Sequence, residues 1–149
     1  MTLVETMVAA VIMIVVVVGL IPVFIMGLTT TEDQGNVATR TTEYAQDKME
    51  ALINLSFTDP ALGGALAAST TVGSLPPAAP VATYVDYIDA NGNTLAGAAG
   101  AYYQRQWSVT TDATATLKTI TIVVVSLPPT GARGFPLTTT LVSIKSSGL

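Results

Sequence analysis

Glu5 is the residue whose chemistry stands out most against its surroundings. Residues 6–31, which follow it, carry no charge, and the next charged residue is Glu32. A bilayer core is spanned by about 20 apolar residues, so this stretch is long enough to cross it. A carboxylate at such a depth costs about 2.5–3.5 kcal/mol unless a cation pairs with it. The nearest candidate is a terminal ammonium, because residue 5 lies only about 6 Å along a helix from residue 1. The pattern predicts a chain that leaves a membrane and packs against copies of itself.

Residue types that support enzymatic chemistry are scarce. The chain has no His and no Cys, so the usual nucleophile–base pairs, zinc sites and disulfides are not available. Asp86 and Asp89 are the closest carboxylates outside the helical region. Three residues apart on a strand, they are expected on opposite faces of a sheet. We therefore expect neither an enzyme nor a bound cofactor.

Asp89, Asn91 and Asn93 place oxygen ligands at alternate positions, as at the start of a calcium-binding loop. The rest of the pattern departs from such a loop. Its sixth position would be Thr94, where glycine is needed, and its twelfth would be Gly100, where a bidentate acid is needed. Calcium binding at these three residues is a hypothesis, and a plain hairpin turn is the preferred interpretation.

The amino terminus resembles that of a known family. Met1-Thr2-Leu3-Val4-Glu5, followed by the apolar stretch, is similar to the processed start of type IV pilins and type II secretion pseudopilins. The resemblance implies that a prepilin peptidase removes a basic leader and that the amine of Met1 is methylated. It also implies that Glu5 neutralises the methylated amine of a neighbouring subunit. Residue 1 is Met where Phe is commoner, so an initiator Met remains an alternative. The disulfide loop of many pilins is absent.

The resemblance implies a structural subunit of a type IV pilus or pilus-like filament, a helical homo-oligomer. Its expected partners are the inner-membrane pilus assembly machinery and the prepilin peptidase. Its expected location is the inner membrane before assembly and an extracellular filament afterwards. Residues 102–109 and 117–122 are similar to the heads of minor pilins, so a minor or tip pilin and a pseudopilin are alternatives. A membrane-anchored adhesive module that does not polymerise is the alternative from another class.

The first 55 residues are predicted to form one helix with two environments. Residues 1–28 are a hydrophobic span or filament core, apolar all round from residue 7 onward, and residues 29–55 are amphipathic. Gly19 and Pro22 interrupt the apolar part. Pro22 leaves the carbonyl of Val18 without its helical partner, which predicts a kink. By resemblance to pilins, the chain around these two residues could unwind during assembly.

Residues 56–82, rich in Ala, Gly and Pro, are predicted to be a connecting loop, and residues 83–149 a β-sheet head. Asn91-Gly92 indicates a hairpin turn, and residues 117–127 a central strand that is apolar on both faces. The expected class is α+β and pilin-like. The carboxy-terminal half of the long helix packs on an antiparallel sheet of three to four strands.

Charge and length add little about partners. The net charge of −4 gives no electrostatic reason to expect nucleic-acid binding. No Lys or Arg precedes the apolar stretch, so the distribution of basic residues does not set a membrane orientation. A removed basic leader would account for that gap. With 149 residues, the chain is long enough for one modest domain beside the spanning segment.

Overall fold

The protein is described from a computed structural model that covers residues 2–127 and 136–148, with only the backbone for residues 28–33. The chain divides into two compact units, Met1–Asn36 and Val37–Leu149. In chain order the elements are α1 (Leu3–Asn54), a 3-10 helix (Pro60–Leu62), β1 (Thr71–Gly73), a second 3-10 helix (Ala82–Tyr84), β2 (Val85–Ile88), β3 (Thr94–Leu95), β4 (Tyr103–Thr111), β5 (Leu117–Ser126) and β6 (Thr138–Ser146).

The amphipathic part of α1 buries the face that the sequence predicts. Thr41, Tyr44, Ala45, Met49 and Leu52 are buried. They recur at steps of three and four residues, the spacing that keeps side chains on one helix face. Four charged residues of the same segment, which fall outside this spacing, are exposed: Arg40, Glu43, Asp47 and Glu50. The predicted amphipathic helix is therefore confirmed.

The second unit contains an antiparallel sheet with the strand order β3-β2-β4-β5-β6, and β1 also pairs with β4. β1 and β2 occupy the same edge of β4. Gly73 pairs with Ser108 and Val85 pairs with Gln106, so the chain between β1 and β2 leaves that edge opposite Trp107. β5 lies between β4 and β6, as predicted for a central strand.

The core lies between this sheet and the carboxy-terminal part of α1. Helix residues pack there against alternate residues of the strands, among them Ile88, Tyr103, Trp107 and Ile122. Tyr44 meets Tyr103 edge-on at 5.1 Å between ring centroids. Aromatic pairs in this geometry add about 0.5–1.5 kcal/mol beyond the burial of their area. The α+β class, with a long helix followed by an antiparallel sheet, is thus confirmed.

The number of strands is a correction, because the sheet has six strands and not three to four. The two additional strands are short, β1 with three residues and β3 with two. Residues 56–82 are also more ordered than the predicted loop. They contain β1 and a 3-10 helix, and Leu62 lies fully buried in the core. The sequence also predicts that residues 128–131 end the central strand and that Phe135 begins the last strand; both lie outside the described residues.

Candidate assembly site

The first turn of α1 places Glu5 at the third helical position after Thr2. The amide of Thr2 donates to Oε2 of Glu5 at 3.3 Å, and the amide of Glu5 donates to the carbonyl of Thr2 at 3.0 Å. Thr-x-x-Glu is the pattern of a capping box, in which the acid satisfies an otherwise unpaired amide at the helix start. This capping role was not among the predictions from the sequence, although the spacing from Thr2 to Glu5 signals it. Met1 lies outside the described residues.

The helix that follows Glu5 leaves its apolar surface uncovered. Every side chain from residue 2 to residue 27 is exposed. Exposed fractions of the large apolar side chains here run from 44% at Val17 to 77% at Leu3. Burying one such side chain completely is worth about 1.5–3 kcal/mol. A surface of this extent therefore requires a cover of lipid or protein.

The segment Leu3–Gly27 is long and apolar enough to cross a membrane, with a mean hydropathy of 3.2 over its most apolar window. It contains one ionisable side chain, Glu5, two residues from its start. This helix can therefore anchor the chain in a bilayer.

Gly19 and Pro22 both lie inside α1, which continues through them from Leu3 to Asn54. A Cβ placed on Gly19 would meet no described atom within 4 Å. Packing within the described chain therefore does not require a glycine at this position. The predicted unwinding concerns the assembled state, and it remains a prediction.

Asp86 joins the helix to the sheet through an ionic cluster. Its Oδ2 accepts hydrogen bonds from Nη2 of Arg105 at 2.7 Å and from Nε of the same residue at 3.1 Å. The Nζ of Lys48 lies 3.0 Å from Oδ2 of Asp86 and 3.8 Å from the ring centroid of Trp107. Burial disfavours the ionised carboxylate, but the hydrogen bonds from Arg105 and Lys48 outweigh it and lower the pKa of Asp86. Because the carboxylate is already shared by two cations, it is a structural link between helix and sheet.

Lys118 is a fully buried cation on the inner side of the sheet. Its Nζ donates to the carbonyls of Phe57, Leu62 and Gly64 at 2.6, 3.0 and 2.6 Å. Burial lowers the pKa of Lys118. A buried ammonium is tolerated when its donors are satisfied, as they are here. Lys118 therefore fixes the chain that follows α1 onto β5.

The structure brings Asp89, Asn91 and Asn93 together in the turn between β2 and β3. Oδ1 of Asp89 accepts from the amides of Asn91 and Asn93, each at 2.8 Å, and Oδ2 accepts from the side-chain amide of Asn93 at 2.9 Å. The hydrogen bond from the side chain of Asn93, together with the backbone donors, lowers the pKa of Asp89. The predicted hairpin is thus confirmed. Asp89 stabilises its turn, and calcium binding here remains a hypothesis.

Within residues 2–127 and 136–148, no group of three or more Asp or Glu residues could hold a metal ion. A pocket of about 300 Å³ lies beside Tyr44, Gly92 and Arg105. The Arg105 guanidinium in its wall is already engaged by Asp86 and by the carbonyl of Tyr44.

Comparison of the chain with protein-family models, with curated protein sequences and with solved structures gives no match. The candidate assembly site is therefore defined by its own residues: Glu5 at the start, the exposed apolar surface of Leu3–Gly27, and Gly19 and Pro22 within it.

Proposed function

We propose that the chain is a structural subunit of a type IV pilus or pilus-like extracellular filament that polymerises through α1. One observation carries the proposal: a carboxylate, Glu5, stands at the start of a helix whose apolar side chains are all exposed over Leu3–Gly27. Lipid could cover the apolar side chains, but the hydrocarbon core of a bilayer offers no cation to the carboxylate. A bundle of identical helices supplies both, because each copy brings apolar side chains and a terminal amine.

The mechanism is assembly. The subunit is held in the inner membrane by Leu3–Gly27, is processed by a prepilin peptidase, and is extracted by the pilus assembly machinery. The helices then gather along the filament axis, and Glu5 of one copy pairs with the amine of Met1 on the next. An unpaired carboxylate in that dry core is expensive, so pairing selects subunits that enter in the correct register.

The resemblance of residues 1–5 to processed pilins supports this proposal, as does the α+β arrangement of a long amino-terminal helix followed by an antiparallel sheet. The helical segment Leu3–Gly27 supports it as well, because it is long and apolar enough to hold the subunit in a membrane before assembly.

A membrane-anchored adhesive module is the second candidate, and the capping box favours it. The hydrogen bond between Thr2 and Glu5 gives the carboxylate a role within one chain, so a neighbouring copy is not needed to explain it. In that case Leu3–Gly27 stays in the bilayer, and the second unit, Val37–Leu149, acts without forming a polymer. We call this second unit the sheet domain.

Electron microscopy of sheared surface material, with mass spectrometry of its main band, tests the proposal. A chain that is abundant in long fibres is a major subunit, and a scarce one is a minor or tip pilin or a pseudopilin. Complete retention in the membrane supports the anchored module.

Glu5→Ala and Glu5→Val should leave the sheet domain folded and should abolish or strongly reduce the filament yield. Normal yields from both variants would overturn the pairing role.

A further inference from the structure

Within the described strands, the outer face of the sheet, turned away from α1, carries no ionised side chain. All charged residues of the described strands belong to the inner face: Asp86, Arg105, Lys118 and Lys145. Each of these four side chains makes a hydrogen bond or an ion pair with the helix, with the chain just after the helix, or with another of the four. Lys145, for example, donates from Nζ to the carbonyl of Ile53. A solvated sheet face ordinarily carries polar and charged side chains that alternate with an apolar inner face. On this sheet the charged side chains lie on the inner face instead, and the outer face carries uncharged ones, many of them threonine.

The exposed part of the outer face has an apolar centre on β5 and β6. Leu117, Val142 and Ile144 are 41%, 62% and 66% exposed. Ile144 pairs with Thr119 and Val142 pairs with Thr121, so these side chains are neighbours on one side of the sheet. We call Leu117, Val142 and Ile144 the outer patch. Among the described strands β6 pairs only with β5, so the patch adjoins a free strand edge, which proteins usually cover or protect with charge.

A second uncharged surface lies in the chain between β1 and β2. Residues 60–85 contain no charged residue, and within them residues 77–83 are exposed. Val81, 44% exposed, lies among alanine and proline in this stretch. We call residues 77–83 the apolar segment. The strands before and after it, β1 and β2, both pair with the edge of β4 opposite to β5 and β6.

We propose that, in the filament, the outer patch of one copy packs against the apolar segment of the next copy. This inference rests on the proposed function. The two surfaces match, because neither brings an ion that would have to be desolvated. They are two different surfaces, so a contact between them repeats from copy to copy, into a ring or an open helical polymer, and does not close a two-fold dimer.

The size of the patch agrees with a contact made only in the polymer. Three partly exposed side chains offer a few hundred Å², below the roughly 800 Å² per partner of a stable interface between two free proteins. The contact therefore needs the helix bundle beside it, and it adds specificity to the position of each sheet domain.

Cysteine crosslinking tests the contact, because the chain contains no cysteine of its own. The variant Ala79→Cys with Val142→Cys, expressed as the full chain, is oxidised or treated with a short bismaleimide in intact filaments. A disulfide requires Cα atoms within about 7 Å, so the product reports direct contact. We expect a ladder of linked subunits from the pair and only monomer from each single variant. The control pair Ala98→Cys with Val142→Cys, which places the first thiol on a different exposed alanine, should give no ladder.

A charge in the patch provides an independent measurement. Ile144→Lys should lower the fraction of filaments that survive shearing several-fold, whereas Ala98→Lys should leave it unchanged. Intact filaments with no ladder from the 79/142 pair would overturn this inference and leave the proposed function standing. Dimers from Val142→Cys alone would overturn it in favour of symmetric pairing of β6. If the native chain forms no filament, both this inference and the proposed function fail.

Discussion

The carboxylate of Glu5 accepts a hydrogen bond from the backbone amide of Thr2 at 3.3 Å. One residue therefore has two possible tasks, closing the first turn of its own helix and neutralising an amine on another copy. The first task needs only a hydrogen-bond acceptor, and the second needs a negative charge. This difference makes the two tasks separable by substitution.

Glu5→Gln is expected to abolish filaments as completely as Glu5→Ala does. Glutamine at this position still accepts the Thr2 amide, since both Glu and Gln serve in a capping box. It leaves the neighbouring amine without a counter-ion, however, and breaking a buried pair in this way costs about 3–5 kcal/mol. Yields of sheared filament, normalised to the amount of subunit in the membrane, are the measurement. Normal assembly of Glu5→Gln, together with failure of Glu5→Ala, would show that the cap alone matters.

Asp86→Asn is expected to destabilise the sheet domain by about 1–3 kcal/mol, less than for a fully buried pair because the Asp86 side chain stays 21% exposed. The substitution leaves Arg105 and Lys48 without their shared carboxylate. Trp107 is the only tryptophan and is 3% exposed, so its fluorescence reports unfolding of the detergent-solubilised full chain. Asp47→Asn, an exposed change on the same helix, should stay within about 0.5 kcal/mol. Equal effects of the two variants would contradict the structural role of the cluster.

The faces of the main elements could be predicted from the sequence because each repeats a local pattern. Trp107 and Ile122 each lie in a run with a period of two, and Tyr44 and Leu52 lie in a run with the helical period. Hydrophobic burial enforces such patterns wherever they are long. The inward position of Lys118 could have been found in the same way, since it shares the parity of Ile120 and Ile122.

The short elements could not be predicted, because non-local partners determine them. Thr71–Gly73 contains one large apolar residue and becomes a strand only by pairing with Thr110, Val109 and Ser108. Three carbonyls of residues 57–64 gather around a cation that lies more than fifty residues away in the chain. Neither relationship leaves a periodic signal. Of the candidate site, the exposed apolar helix was predictable from composition, whereas the cap at Thr2 required attention to a three-residue spacing.

Gly73→Ala is expected to destabilise the sheet domain by roughly 3 kcal/mol or more, in the range where a specific steric mechanism is needed. Gly73 has a φ of +79°, and a Cβ there would lie 2.3 Å from the carbonyl oxygen of Trp107. Gly64, with a φ of +66° and open space around it, provides the matched control. Gly64→Ala should cost only the backbone strain, about 1–2 kcal/mol. Similar losses for the two variants, measured by Trp107 fluorescence in urea, would contradict the close approach at Gly73.

The pKa of Asp112 is expected to lie well below the usual value of an aspartate and to make the β4–β5 turn sensitive to acid. The side chain of Thr114 donates to its Oδ2, the amides of Leu117 and Thr116 donate to its Oδ1 at 2.8 Å, and together they lower the pKa of Asp112 to about 2. A lowered pKa in the folded state stabilises the fold above the unfolded value of 3.8, and this contribution is lost as the pH falls through about 2.

Carbon NMR of the Asp112 carboxyl group gives its pKa directly. Asp112→Asn should be less stable at neutral pH and should lose less stability than the native chain between pH 4 and 2. A pKa near 4, or parallel pH profiles for the two proteins, would show that these hydrogen bonds do not favour the ionised carboxylate.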